Sequence, residues 1–96
     1  MAAVEGVRSA HAVLTANAED VVTLTGAAGG AAVEIAHHGG AITDVIYFRL
    51  DNVAAVKVAD ETQVLLPGER LSINLARNGI LRLICNGAAG YSVFMH

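Results

Sequence analysis

Apolar side chains recur at every second position through most of this chain. Residues 20–26 (DVVTLTG) are rich in β-branched residues and end on a glycine. In residues 31–38, Val33 and Ile35 take one side and Glu34 the other; in 43–50, Ile46, Phe48 and Leu50 oppose Val45, Tyr47 and Arg49. Residues 9–15, 62–66, 69–76, 80–86 and 91–95 also read as strands. Successive side chains on a strand point to opposite faces, so a period of two marks a half-buried strand. The alanine-rich start suits a helix on propensity alone, but Thr15 and the valine–threonine run from Val21 favour strand. Seven or eight short strands separated by turn signals predict an all-β fold, a single antiparallel β-sandwich or small barrel. Residues 1–8 are expected to be a flexible arm and 9–96 the one domain. Residues 51–61 (DNVAAVKVADE) fit a strand, an edge or an ordered loop.

Two turns can be assigned from their residues. Pro67-Gly68 suits the central positions of a type II turn, where proline presets φ and glycine takes φ > 0. Asn78-Gly79 suggests a two-residue hairpin between 69–76 and 80–86. That register puts Arg82 on the face of Leu71 and Ile73. Pairing Ala76 with Ile80 instead gives a three-residue loop with Gly79 at positive φ. Leu71, Ile73, Leu75, Leu81, Leu83 and Cys85 then share one face and form the expected core. Arg70, Ser72, Asn74, Arg82 and Asn86 share the other. A one-residue slip flips every side chain, which selects the longer loop.

Composition narrows the class. Ninety-six residues fit one domain, and 54% hydrophobic against 16% charged residues exclude intrinsic disorder. A net charge of −3 argues against nonspecific nucleic-acid binding. No apolar run reaches the length of a membrane span, and the first twenty residues lack the pattern of a signal peptide. Neither nucleic acid nor a membrane is therefore an expected partner. The single cysteine excludes an intramolecular disulfide and a multi-cysteine zinc site. Eighteen alanines and ten glycines against four aromatic residues mean little buried area per side chain. Association with further copies would supplement that stability. Charge is uneven: all nine acids lie before Arg70, and Arg70, Arg77 and Arg82 follow without one. This predicts either an electropositive patch or a solvated strand face.

Candidate chemistry is sparse. His37-His38, with His11 or Glu34, invites a metal reading. Adjacent strand residues point apart, however, and neither HExxH nor a second cysteine is present. No metal site is expected, and the histidine pair is read as partly exposed. Cys85 lies on the apolar face, where a thiol is inert. Ser9, Ser72 and Ser92 lack a nucleophile-elbow context, and Asp60-Glu61 reads as solvated surface. The glycine-rich stretches 26–31 and 86–90 read as turns, not as phosphate loops. No enzyme and no cofactor are expected. In the last strand, either Tyr91, Val93 and Met95 face the core and Phe94 points outward, or the phase is reversed and Phe94 is core. An outward Phe94 would mark a subunit contact.

The stretch from Val33 to Val93 resembles small β-sandwich structural proteins encoded by tailed bacteriophages. The matching segments are VEIAHHGG (33–40), VIYFRLDN (45–52), VLLPGE (64–69), LRLICNGAA (81–89) and YSV (91–93). Residues 51–60 lack the glycine and proline often found in that loop. The resemblance implies a multi-copy virion component, first of all a head decoration protein binding the major capsid protein shell as trimers or other small oligomers. Head–tail connectors and tail or fibre parts share the pattern, and a small carbohydrate-binding module is a further alternative. The expected location is the virion, with assembly in the host cytoplasm. Phe94, Arg70, Arg82 and Tyr47 are the expected contact residues.

Overall fold

The computed structural model describes residues 2–27, 29–39, 43–50, 63–75 and 79–95. They form nine strands: β1 (Ala2–Gly6), β2 (Ser9–Val13), β3 (Asp20–Leu24), β4 (Ala32–His37), β5 (Ile46–Arg49), β6 (Gln63–Leu65), β7 (Arg70–Asn74), β8 (Ile80–Cys85) and β9 (Gly90–Met95). A short 3-10 turn, Thr25–Ala27, follows β3. The strands make two sheets, ordered β1-β3-β8-β5-β6 (sheet A) and β2-β9-β4-β7 (sheet B). The fold is an all-β sandwich, and the period-two pattern is its cause. β8 alternates half-buried and buried along its whole length, and β3 does so in the opposite phase.

The core lies between the sheets. Sheet A contributes Val22, Leu24, Leu81, Leu83, Cys85, Ile46, Phe48 and Leu65; sheet B contributes Ala10, Val33, Ile35, Tyr91 and Val93. Burying one large apolar side chain fully is worth about 1.5–3 kcal/mol. Only Phe48 and Tyr91 are both aromatic and fully enclosed, so this core depends on many medium-sized contributions.

Residues 1–8 do not behave as a loose arm where they are described. Residues 2–6 form β1, which runs parallel to β3 with Val4 beside Val22. Val4 packs against the core, and β1 occupies an edge of β3 that would otherwise lack a partner. The connection to β2 is held as well. Gly26 N–H donates to the Val7 carbonyl at 2.6 Å, and Met95 N–H to that of Arg8 at 2.9 Å. This β1–β3 pair is the one departure from an antiparallel arrangement among the described strands.

The expected hairpin between 69–76 and 80–86 is absent. β7 pairs with β4 in sheet B, whereas β8 pairs with β3 and β5 in sheet A. Ile80 lies opposite Thr23, and Ala76 lies outside the described residues. The chain crosses from one sheet to the other between β7 and β8, and Gly79 takes φ +69° in that crossing. Residues 76–78 lie outside the described set, so the loop length is not at issue. The physical reason is simple: strands that face each other across a core carry the same alternation as strands side by side.

This difference changes the expected core. Leu75, Leu81, Leu83 and Cys85 are buried, Ile73 is half-buried against the core, and Leu71 is 37% exposed. β7 is an edge strand, so the inward side of Leu71 is open on one flank. At Pro67-Gly68 the type II turn forms as its residues dictate: Gly68 has φ +79°, and Glu69 N–H donates to the Leu66 carbonyl at 2.9 Å. It carries the chain from β6 in sheet A to β7 in sheet B. The ambiguous residues 51–61 lie outside the described set.

Candidate functional site

The outer face of sheet B is built in rows across its strands. Ser9, Phe94, Glu34 and Ser72 lie side by side in one row; His11, Ser92, Ala36 and Arg70 form the next. Tyr91 and Val93 are buried while Ser92 and Phe94 are half-buried. The last strand therefore takes the phase that sends Phe94 outward. β9 is not an open edge, because it lies between β2 and β4. Arg70 makes an ion pair with Glu34, Nη1 to Oε1 at 3.2 Å, within one row of the Phe94 ring.

Tyr47 and Arg82 stand on the outer face of the other sheet. Tyr47 lies opposite Ile84 and Val64, and Arg82 opposite Arg49 and Val21. The four expected contact residues are therefore split, Phe94 and Arg70 on sheet B and Tyr47 and Arg82 on sheet A. The shared arginine face does not exist, because β7 and β8 belong to different sheets. Each of these two arginines is paired with a glutamate, Arg82 with Glu19 at 2.9 Å. The early acids thus fold back onto the late arginines, and no electropositive patch is made by Arg70 and Arg82.

The histidines separate as alternation requires, but with different surroundings from those expected. His37 is 3% exposed, not partly exposed. Its Nε2 bonds the Asp44 carbonyl at 2.5 Å, and its Nδ1 accepts from Gly39 N–H at 2.9 Å. A carbonyl only accepts and an amide N–H only donates, so the ring carries one proton, on Nε2. His38 points to the outer face of sheet B. Its Nε2 lies 2.9 Å from Ser92 Oγ, and its ring centre 5.1 Å from that of His11 at an interplanar angle of 57°. His11, His38 and Ser92 come from three strands or their ends. Their meeting depends on pairings across more than fifty residues, and no local sequence signal announces it.

Cys85 is fully buried. Its Sγ accepts from Gly87 N–H at 3.5 Å and lies 3.7 Å from Asn86 Oδ1. Tyr91 and Asp20 form a buried polar pair that the period-two pattern does not reveal. The phenol donates to Asp20 Oδ2 at 2.8 Å. Burial, reinforced by that hydrogen bond and the nearby carboxylate, pushes the Tyr91 hydroxyl well above its usual range. Among the described residues, no group of three or more His, Cys, Asp or Glu side chains is placed to hold a metal ion. No described helix is long and apolar enough to cross a membrane.

No protein-family model and no curated protein matches the chain. Among solved structures, the chain is similar in fold to the pre-peptidase C-terminal domain of a collagenase from Bacillus anthracis, with a TM-score of 0.49 and 16% identity over 98% of this chain and 94% of that one.

Proposed function

We propose that this chain is a non-catalytic structural module that works by association, and that its setting is the capsid surface of a tailed bacteriophage. The single observation that carries the contact assignment is the outward Phe94. It stands on an inner strand of sheet B, with the Arg70–Glu34 ion pair beside it. An apolar ring with a polar border is the arrangement that protein interfaces use. The resemblance of segments 33–40, 45–52, 64–69, 81–89 and 91–93 to phage β-sandwich proteins supplies the setting. Apolar burial around Phe94 supplies the affinity, and the exposed ion pair sets orientation, since such pairs add only about 0–1 kcal/mol. Because residues 2–6 are a strand of sheet A, removing the N-terminus would cost that sheet an edge strand.

The test adds purified protein to undecorated phage particles and counts bound copies by quantitative mass spectrometry. The native chain is expected to bind in many copies per shell. Phe94→Asp is expected to fold, by circular dichroism, and to bind fewer. Undiminished occupancy of Phe94→Asp would remove the contact assignment. A native chain found only in tails, or never with particles, would remove the decoration role.

A further inference from the structure

His11 and His38 project from strands that are not neighbours. β9 lies between β2 and β4, so their backbones are separated by two inter-strand spacings, roughly 9–10 Å. Their ring centres are nevertheless 5.1 Å apart. Gly90 lies beside this approach. A Cβ there would lie 3.5 Å from His38 Cβ and 4.0 Å from its Cδ2, so the imidazole lies across a position that has no side chain. His38 N–H also donates to the Gly90 carbonyl at 2.9 Å, fixing the backbone from which the ring projects. Ser92, opposite His11 in the β2–β9 register, bonds His38 Nε2 and fixes the ring itself.

We propose that His11 and His38 form a solvent-facing two-imidazole chelate for a divalent first-row transition-metal ion such as Cu²⁺, Ni²⁺ or Zn²⁺. Imidazole is a preferred ligand of these ions. Metal–nitrogen bonds of about 2.0–2.1 Å at a tetrahedral angle place two imidazole centres about 5 Å apart. The observed separation meets that requirement. Both histidines are exposed, so an ion reaches them directly. Ser92 is a positioning residue. When its hydroxyl accepts from Nε2–H of His38, the Nδ1 lone pair is left for the metal, as the second partner of a ligating histidine commonly arranges. Two protein donors leave coordination positions to water. His37 takes no part, because both its nitrogens are engaged inside the fold.

The proposal does not depend on the phage assignment and is tested on the isolated chain. Cu²⁺, Ni²⁺ and Zn²⁺ salts are titrated singly by calorimetry, and substoichiometric Cu²⁺ is used to broaden amide resonances. One ion per chain is expected, with broadening centred on His11, His38, Gly90 and Ser92. His11→Gln and His38→Gln are each expected to weaken binding at least about tenfold, since a chelate is lost with either donor. Their combination is expected to weaken it little further. Ser92→Ala is expected to weaken binding less than either while leaving the broadened region unchanged. Binding is expected to fall in acid, because ligation needs neutral imidazole. Equal affinity of the native chain and the double variant would overturn the site. So would broadening centred elsewhere, a result that does not depend on any variant folding.

Discussion

The Tyr91 hydroxyl donates to Asp20 Oδ2 at 2.8 Å, joining β9 of sheet B to β3 of sheet A through the apolar core. Both residues are buried, the tyrosine fully and the aspartate to 3% exposure. A hydrogen bond to a charged acceptor contributes more than a neutral one, and losing the donor leaves the acceptor desolvated. Tyr91→Phe keeps the ring and removes only the donor. It is expected to lower unfolding free energy by about 2–3 kcal/mol in urea denaturation at neutral pH. A loss below about 0.5 kcal/mol would mean that Asp20 has other means of satisfaction.

The same pair sets a response to alkali. The folded state holds the Tyr91 proton far more firmly than the unfolded chain, whose tyrosine titrates at about 10. A group raised on folding gives its full stabilisation below the unfolded value and loses it as pH rises above that value. Stability is therefore expected to fall above about pH 10, by about 1.4 kcal/mol per pH unit from this residue. The Tyr91→Phe variant should lack that component. Denaturant titrations from pH 9 to 12 on both proteins check it, and parallel slopes would contradict it.

The two arginine–glutamate pairs are expected to differ in worth. Arg70 and Glu34 are 69% and 19% exposed in their side chains, Arg82 and Glu19 only 23% and 11%. Water screens the first pair and much less of the second. Arg70→Ala should cost under about 0.5 kcal/mol and Arg82→Ala about 1–2 kcal/mol, by thermal unfolding. Raising salt should erase most of the first loss and less of the second.

Two glycines are needed for different reasons. At Gly68 the space around a Cβ is open, and only φ +79° resists a side chain. Gly68→Ala should cost about 1 kcal/mol, and Gly68→Asn less, because asparagine tolerates that conformation. At Gly6 a Cβ would run into the Ser9 carbonyl, which is backbone and cannot swing aside. Gly6→Ala must displace the chain there, and is expected to cost more than Gly68→Ala in the same melting experiment.

Cys85 should report on global opening. Its side chain is fully buried beside Ile46 in the β5–β8 register. A thiol reagent is expected to label the native chain slowly, at a rate that rises with denaturant. Cys85→Ala should remain folded, at a cost of about 1 kcal/mol. Prompt labelling in buffer would show that this end of the sandwich opens locally.

Which residues face inward was legible strand by strand, because alternation needs only local chemistry. Val33 with Ile35, Ile46 with Phe48, and Leu81 with Leu83 and Cys85 each share a face by alternation, and in the structure each of those faces is the buried one. Which strands lie side by side was not legible. The alternation of Leu71, Ile73 and Leu75 is the same whether β7 pairs with β8 or faces it. Val4 lies in an alanine-rich start without a β-branched run, so β1 gave no local strand signal; it is a strand because β3 has an edge to fill. The meeting of His11 with His38 likewise follows from strand order, with β9 passing between them.

The place of β9 has a consequence for synthesis. Ser9 lies beside Phe94, and Val33 beside Met95. On the ribosome, β2 and β4 are made early and stay apart until residues 90–95 emerge to lie between them. Sheet B is thus completed only when translation has passed Met95, and the step that completes it must join residues as far apart as Ser9 and Phe94. Until then, nascent chains on a crowded polysome expose the edges of β2 and β4 to one another, and each is open to pairing with the wrong copy.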